Sequence, residues 1–258
     1  MQRYFLSDDV ALAAGRVAIV LEDYHHIVHV MRMSLGEKVQ IGYKGEVYLG
    51  SIVDIKEHQV LVELLEVLPA SDTSYQLTLY QGLPKGEKID LIIRQACEIG
   101  VTKIIVYAAD HSVAKISSDK REGRLLRWRK IAKEAAEQAK RRRIPDVFFA
   151  TSIVQALDID PPTALLIPYE RQDGQMPSIK TVLRTIVDAS EEQLLSEDVS
   201  IGFVIGPEGG FSVGEVSWLT EQKGGQVLTL GPRILRTETA AVVTAAIVLY
   251  ELDHMEVK

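Results

Sequence analysis

The sequence predicts a two-part α/β protein, with a small antiparallel β domain over residues 1–70 and a helix-covered parallel sheet over 71–258. Three observations predict it. Residues 1–68 carry short runs that alternate apolar and polar side chains, the mark of half-buried antiparallel strands. Pro69-Ala-Ser-Asp-Thr-Ser74 has linker composition. Beyond it, apolar strand-like segments alternate with helical ones, the order that builds a parallel sheet covered on both faces.

The elements follow in order. Asp23 is placed to cap a short helix through His25–Met33. The runs Lys38–Tyr43, Glu46–Asp54 and Gln59–Val67 are expected strands, joined by Lys44-Gly45 and Glu57-His58. Gln76–Gln81 and Lys103–Tyr107 read as strands flanking a helix over Gly86–Ile99. Ser117 and Ser118 can cap a long helix reaching about Arg142, which Pro145 forbids from continuing. Val147–Ala150, Thr163–Ile167, Ser200–Ile205 and Gln226–Leu230 complete the expected strands. Ser212-Val-Gly-Glu215 is a capping-box pattern, so a helix should start directly after it. Asp188–Asp198 is acidic and polar, an expected exposed connection. The last helix, about Glu238–Leu252, is apolar on nearly every side and must be covered all round, by the core or by a second subunit.

Composition narrows the function. The chain is 47% hydrophobic and 25% charged, enough for a real core. No apolar run is long enough to span a bilayer, and Met1–Asp9 lacks a signal-peptide core. One cysteine, Cys97, excludes a disulfide framework and a cysteine zinc cluster, and fits a reduced cytoplasmic setting. His25, His26 and His29 lack a nearby third ligand type, so no metal is expected. Net charge is −7, yet Lys120–Arg143 holds eleven Lys/Arg against three Glu, which leaves −15 elsewhere. Such segregation builds a positive face for a polyanion on an acidic body.

The chemistry concentrates in two glycine-centred turns, Ile205-Gly206-Pro207-Glu208-Gly209-Gly210-Phe211-Ser212 and Leu230-Gly231-Pro232-Arg233-Ile234-Leu235-Arg236-Thr237-Glu238-Thr239-Ala240. Each leaves a strand and enters a helix, where glycine permits close backbone approach and helix N–H groups lie unpaired. Neither has dinucleotide or P-loop spacing, and Gly82-Leu-Pro-Lys-Gly86-Glu-Lys88 lacks the Walker hydroxyl. A nucleoside held by backbone groups fits better than a cradled phosphate.

These two turns resemble the signature loops of the ribosomal RNA small subunit methyltransferase E family, in the SPOUT superfamily. Supporting segments lie in order along nearly the whole chain: Arg3-Tyr4-Phe5, His26…Met31-Arg32-Met33…Gly36, Lys85-Gly86…Glu98-Ile99-Gly100-Val101 and Trp128…Glu137-Gln138…Arg141…Pro145. The resemblance implies a PUA-like β-barrel followed by a SPOUT-type parallel sheet with a C-terminal trefoil knot. It implies S-adenosylmethionine as methyl donor, N3 of uridine 1498 in 16S rRNA as target, and a homodimer.

It also implies site residues. Backbone groups of Ile205, Gly206, Glu208, Gly209 and Gly210, and of Leu230, Gly231, Arg236, Thr237 and Ala240, are expected around the cofactor, with Ile234 and Leu235 on the adenine. Leu166 and Pro168 stand at the first of the three knot loops. Arg236 is the expected electrostatic catalyst, because a guanidinium there would stabilise charge developing on the uracil oxygens. Glu208 either accepts a proton or orients its own loop. Arg3, Arg32, Lys85, Arg141 and Arg143 are the expected RNA contacts. The chain departs from the family's Glu-Gln-Cys/Ser-Gly-Arg, reading Glu137-Gln138-Ala139-Lys140-Arg141; loss of that glycine is expected to lengthen the helix by a few residues.

Overall fold

A computed structural model describes residues 1–69, 76–170, 176–189 and 200–252. The expected linker at 70–74 and the acidic connection from 190 to 198 lie outside the described residues. The chain forms two compact units: Met1–Asp72 with Ala136–Ile144, and Thr73–Ala135 with Pro145–Lys258.

The first unit is a five-stranded sheet. Its strands are β1 (Arg3–Phe5), β2 (Arg16–Val20), β3 (Lys38–Tyr43), β4 (Glu46–Lys56) and β5 (Gln59–Val67), in the order β1-β3-β4-β5-β2. Every pairing is antiparallel except β1 with β3. No ladder joins the edges β1 and β2 among the described residues. Alternation sends Val17, Ile19, Val39, Ile41, Val60 and Val62 into one core, as the sequence pattern requires. The first helix, α1 (Leu21–His25), starts ahead of Asp23 and has no side-chain cap; Asp23 and Glu22 sit in its first turn. There the carboxylates meet the positive end of the helix dipole rather than a capping position. A π-helical turn, His26–Val30, continues it.

The second unit is a six-stranded, wholly parallel sheet of β6 (Gln76–Gly82), β7 (Lys103–Tyr107), β8 (Asp146–Ala150), β9 (Ala164–Pro168), β10 (Ser200–Ile205) and β11 (Gln226–Leu228). Strand order is β11-β9-β10-β6-β7-β8. Order reverses between β10 and β6, and the carboxyl end of such a switch point is where ligands of open parallel sheets bind. The connecting helices are α2 (Lys88–Ile99), α3 (Ser118–Gln138), α4 (Ile153–Ile159), α5 (Ile179–Ala189), α6 (Val213–Glu221) and α7 (Thr237–Glu251). Tyr80, Ile105 and Val204 pack with α4 and Leu219 of α6 on one face. Alternation turns Leu79, Gln81, Phe203 and Ile205 to the other face, where α7 packs on β6, β10, α2 and α5.

Two helix ends differ from the sequence expectation. Helix α2 begins at Lys88, because Gly86 is left-handed with φ +64°. Helix α3 stops at Gln138 instead of lengthening to Arg142. Lys140, at the position of the family's glycine, itself adopts the left-handed conformation with φ +58°. The chain thus makes a left-handed turn here without a glycine, held by Arg3, whose guanidinium donates to the carbonyls of Lys140 and Arg141.

Among the described residues, helix α7 is fully covered on one side and partly on the other. Ala241, Thr244, Ala245, Val248 and Leu249 are buried, whereas Val242, Val243, Ala246 and Ile247 stay half-buried and Tyr250 exposed.

Candidate active site

The two glycine turns leave the carboxyl ends of β10 and β11 and are tied together through the end of β6. Thr237, first residue of α7, donates its hydroxyl to the Gly206 carbonyl at 2.7 Å. Gln81 Nε2 donates to that same hydroxyl oxygen at 2.9 Å and to the Gly82 carbonyl at 2.9 Å. Gln81 is fully buried, so these bonds run in a dry interior where a broken partner is costly. Gly82 completes the junction: a Cβ there would stand 2.6 Å from Pro207 Cδ and 2.8 Å from Pro207 N. The strand end and the turn can approach only without that side chain.

The Gly206–Gly210 turn is fixed at every corner. A Cβ at Gly206 would stand 3.1 Å from the Gly210 carbonyl carbon, and one at Gly209 would stand 2.9 Å from His111 Cβ. His111 Nδ1 also meets the Gly209 carbonyl at 3.0 Å. The expected reason for these glycines was access for a ligand; contacts within the protein already require two of them. Ser212 caps α6 in the expected capping box with Glu215, and its hydroxyl donates to Asp110 at 2.6 Å.

Glu208 accepts from the Lys85 amide at 3.2 Å through both carboxylate oxygens, and from Lys88 Nζ at 2.8 Å. Burial raises its carboxyl, but Lys88 and the backbone donors outweigh burial and hold it below the ordinary carboxylate value. A carboxylate so held is a weak proton acceptor, so the geometry favours the loop-orienting role over proton transfer. Lys88, weighed in the sequence only as part of a failed phosphate motif, is thereby committed to a carboxylate; it also lies 3.9 Å from Glu238.

Arg236 precedes α7 as its N-cap residue with extended backbone and no side-chain capping bond. It is exposed and has no ion pair among the described residues, which leaves its charge available. In the same turn, Gly231 is left-handed with φ +112° and Leu230 and Leu235 are half-buried. Ile234 is 78% exposed, an apolar side chain uncovered among the described residues. Ala240 N bonds back to Arg236 O at 2.8 Å, closing the first turn of α7. Leu166 lies wholly buried inside β9, while Pro168 is half-buried at that strand's end and is the better placed of the pair to border a ligand at the sheet's carboxyl end.

The five expected RNA contacts divide. Arg32, Lys85 and Arg143 are exposed. Arg3 and Arg141 are buried, at 7% and 6% exposure, and the guanidinium of Arg3 also donates to Gln40 Oε1 at 3.0 Å. Arg3 bonds the Lys140 and Arg141 carbonyls within the first unit, and neither side chain faces solvent. Of the three histidines, His26 meets the Tyr4 hydroxyl at 2.9 Å through Nδ1, and no cluster of three metal-ligating side chains occurs among the described residues.

Sequence reasoning missed Gln81, Gly82, Asp110, His111 and Lys88. Only Gln81-Gly82 carried a visible sign, a polar residue and a glycine closing an otherwise apolar buried strand.

Comparison with known proteins gives the family. Residues 71–249 match an RNA methyltransferase domain, and residues 22–65 an RNA methyltransferase PUA domain. Ribosomal RNA small subunit methyltransferase E of Bacillus subtilis is 34% identical, over 98% of both chains. Ribosomal RNA small subunit methyltransferase E 2 of Borreliella burgdorferi is 31% identical over 90% of this chain and 91% of its own. Among solved structures, a ribosomal RNA small subunit methyltransferase E from Neisseria gonorrhoeae, bound to S-adenosyl methionine, superposes with a TM-score of 0.78 at 25% identity, covering 97% of each chain. The chain belongs to the ribosomal RNA small subunit methyltransferase E family, RNA methyltransferases of SPOUT type.

Proposed function

We propose that this enzyme transfers the methyl group of S-adenosylmethionine to N3 of one uridine of 16S rRNA, uridine 1498, in the cytoplasm and as a homodimer. The observation that carries the reading is the pair of glycine turns locked to one another by Thr237 and Gly206, with an exposed isoleucine and an arginine that has no ion pair among the described residues on the second turn. An exposed apolar side chain beside backbone donors fits an adenosine, whose base is apolar on its faces and polar at its edge. In this reading Ile234 and Leu235 lie on the adenine, and backbone groups of Ile205, Gly206, Gly209, Gly210, Leu230 and Gly231 hold its edge and the ribose. The bound sulfonium supplies an activated methyl, so the protein needs neither a metal nor a covalent nucleophile.

The residues of the chain then have two tasks. Uridine N3 holds its proton at neutral pH, so the site must favour the anion and align it in line with the methyl. Arg236, without an ion pair among the described residues, stabilises negative charge on the uracil oxygens. Glu208 keeps the first turn in place through Lys85 and Lys88.

The threading of the last loops is read as a trefoil knot, consistent with β10 lying between β9 and β6 while α7 returns to both β10 and β6. The half-covered face of α7, with Val242, Val243, Ala246 and Ile247, supports a second subunit as its cover. The test is S-adenosylmethionine-dependent transfer of labelled methyl to 16S rRNA from a strain lacking the modification. Transfer to another RNA only would move the target and keep the chemistry.

A further inference from the structure

Within the second unit lies a cavity of about 520 Å³. It is walled by the loop after β6 (Leu83, Pro84, Gly86), the loop after β7 (Ala114, Lys115, Ile116) and one stripe of α3. That size is in the range of small-molecule sites. The α3 stripe is Lys120, Gly123, Arg124 and Arg127, spaced to share one helix face.

Its charges are unequally matched. Arg127 pairs with Asp90 and, at 3.5 Å, with Glu87, so the two acidic residues of the lining share one arginine. Lys115, Lys120 and Arg124 are exposed and have no ion pair among the described residues. Gly123 sits between them in mid-helix, where glycine is the poorest residue short of proline. Nothing lies within 4 Å of where its Cβ would be, so no packing contact requires it. Its absent side chain leaves the middle of the basic stripe open.

The cavity and the Gly206–Gly210 turn share a loop. The loop after β6 lines the cavity on one side, while its Lys85 amide holds Glu208 of the Gly206–Gly210 turn.

We propose that this cavity seats a nucleotide of the RNA substrate close in sequence to the methylated one, its phosphate on Lys115, Lys120 and Arg124. The base or ribose lies against Pro84 and Ile116. This rests on the proposed RNA methyl transfer. The site would position the strand so that the target base, taken out of its stack, reaches the glycine turns.

The experiment measures affinity of the full chain for unmethylated 16S rRNA against potassium chloride concentration, with transfer kinetics alongside. The triple variant K115Q/K120Q/R124Q should bind at least tenfold more weakly, with a log–log salt slope shallower by about 0.7, as the loss of one phosphate contact on a single strand requires. KM for RNA should rise with kcat within about twofold, and affinity for S-adenosylmethionine should not move. Gly123→Gln should weaken RNA binding while the melting temperature holds or rises, which separates a blocked cavity from a damaged helix. Wild-type affinity and slope in the triple variant, or wild-type RNA binding in Gly123→Gln, would overturn the proposal. If wild-type enzyme methylates no rRNA, the proposed function fails, and the binding measurements still decide the cavity's role.

Discussion

The Thr237 hydroxyl and the Gly206 carbonyl, 31 residues apart, form one hydrogen bond that joins the two glycine turns. Gln81 holds the hydroxyl from the other side, so its proton is directed at Gly206. The site is thus assembled from the ends of three segments, and its geometry depends on a buried polar chain.

Replacing Thr237 by valine keeps the shape and removes the link. It strands the Gly206 carbonyl and the Gln81 amide, at a cost of about 1–3 kcal/mol. Thermal unfolding should show that loss, and the Kd for S-adenosylmethionine should rise. An unchanged Kd would mean that the loops hold their spacing without this bond.

Arg236→Ala should lower kcat by roughly 10²–10³, the usual loss of one charge-stabilising donor. Because Arg236 makes no ion pair within the described chain, stability should stay within about 0.5 kcal/mol of wild type. Equal turnover in the variant would remove Arg236 from the chemistry.

Glu208 links the site to pH. Its folded value is lowered, so its contribution is complete above the ordinary value of 4.5 and is lost as pH falls through the lowered one. Melting temperatures of wild type and Glu208→Gln should therefore differ at pH 7, by about 1 kcal/mol of stability, and converge under strong acid. A gap that persists at low pH would show that the carboxylate's charge is irrelevant. Activity of Glu208→Gln should fall mainly through KM for the cofactor, since the residue orients a loop.

Lys140→Gly should stabilise the protein. A lysine in the left-handed region carries a penalty of about 1–2 kcal/mol that glycine lacks. Part of it returns as glycine's greater freedom in the unfolded chain, leaving a gain of roughly 0.5–1 kcal/mol. Arg3→Ala should do the opposite, because it uncaps the same turn's carbonyls inside the first unit. Denaturant unfolding of both variants measures the pair.

Periodicity made the elements legible. Strands Lys38–Tyr43 and Lys103–Tyr107 were bounded to the residue, because each alternates or runs apolar between clear breakers. The capping box at Ser212 and Glu215 also appears as written in the sequence. The end of α3 was misjudged because composition cannot reveal Arg3, 137 residues earlier, holding Lys140 in a glycine's conformation. The site was legible as two loops and opaque as a network. Glu208 could be named, but its partners Lys85 and Lys88 lie more than 100 residues away in the chain. Basic residues misled for a related reason: sequence gives charge and not burial, and Arg3 and Arg141 are spent inside the fold.

The central claim is that these loops deliver a methyl group to the base of one uridine. Nucleoside mapping by mass spectrometry of 16S rRNA, after incubation with enzyme and labelled S-adenosylmethionine, tests it most directly. A single labelled 3-methyluridine at position 1498 is expected, absent with Arg236→Ala at matched times. Label on a ribose, on another base, or at scattered positions would contradict it.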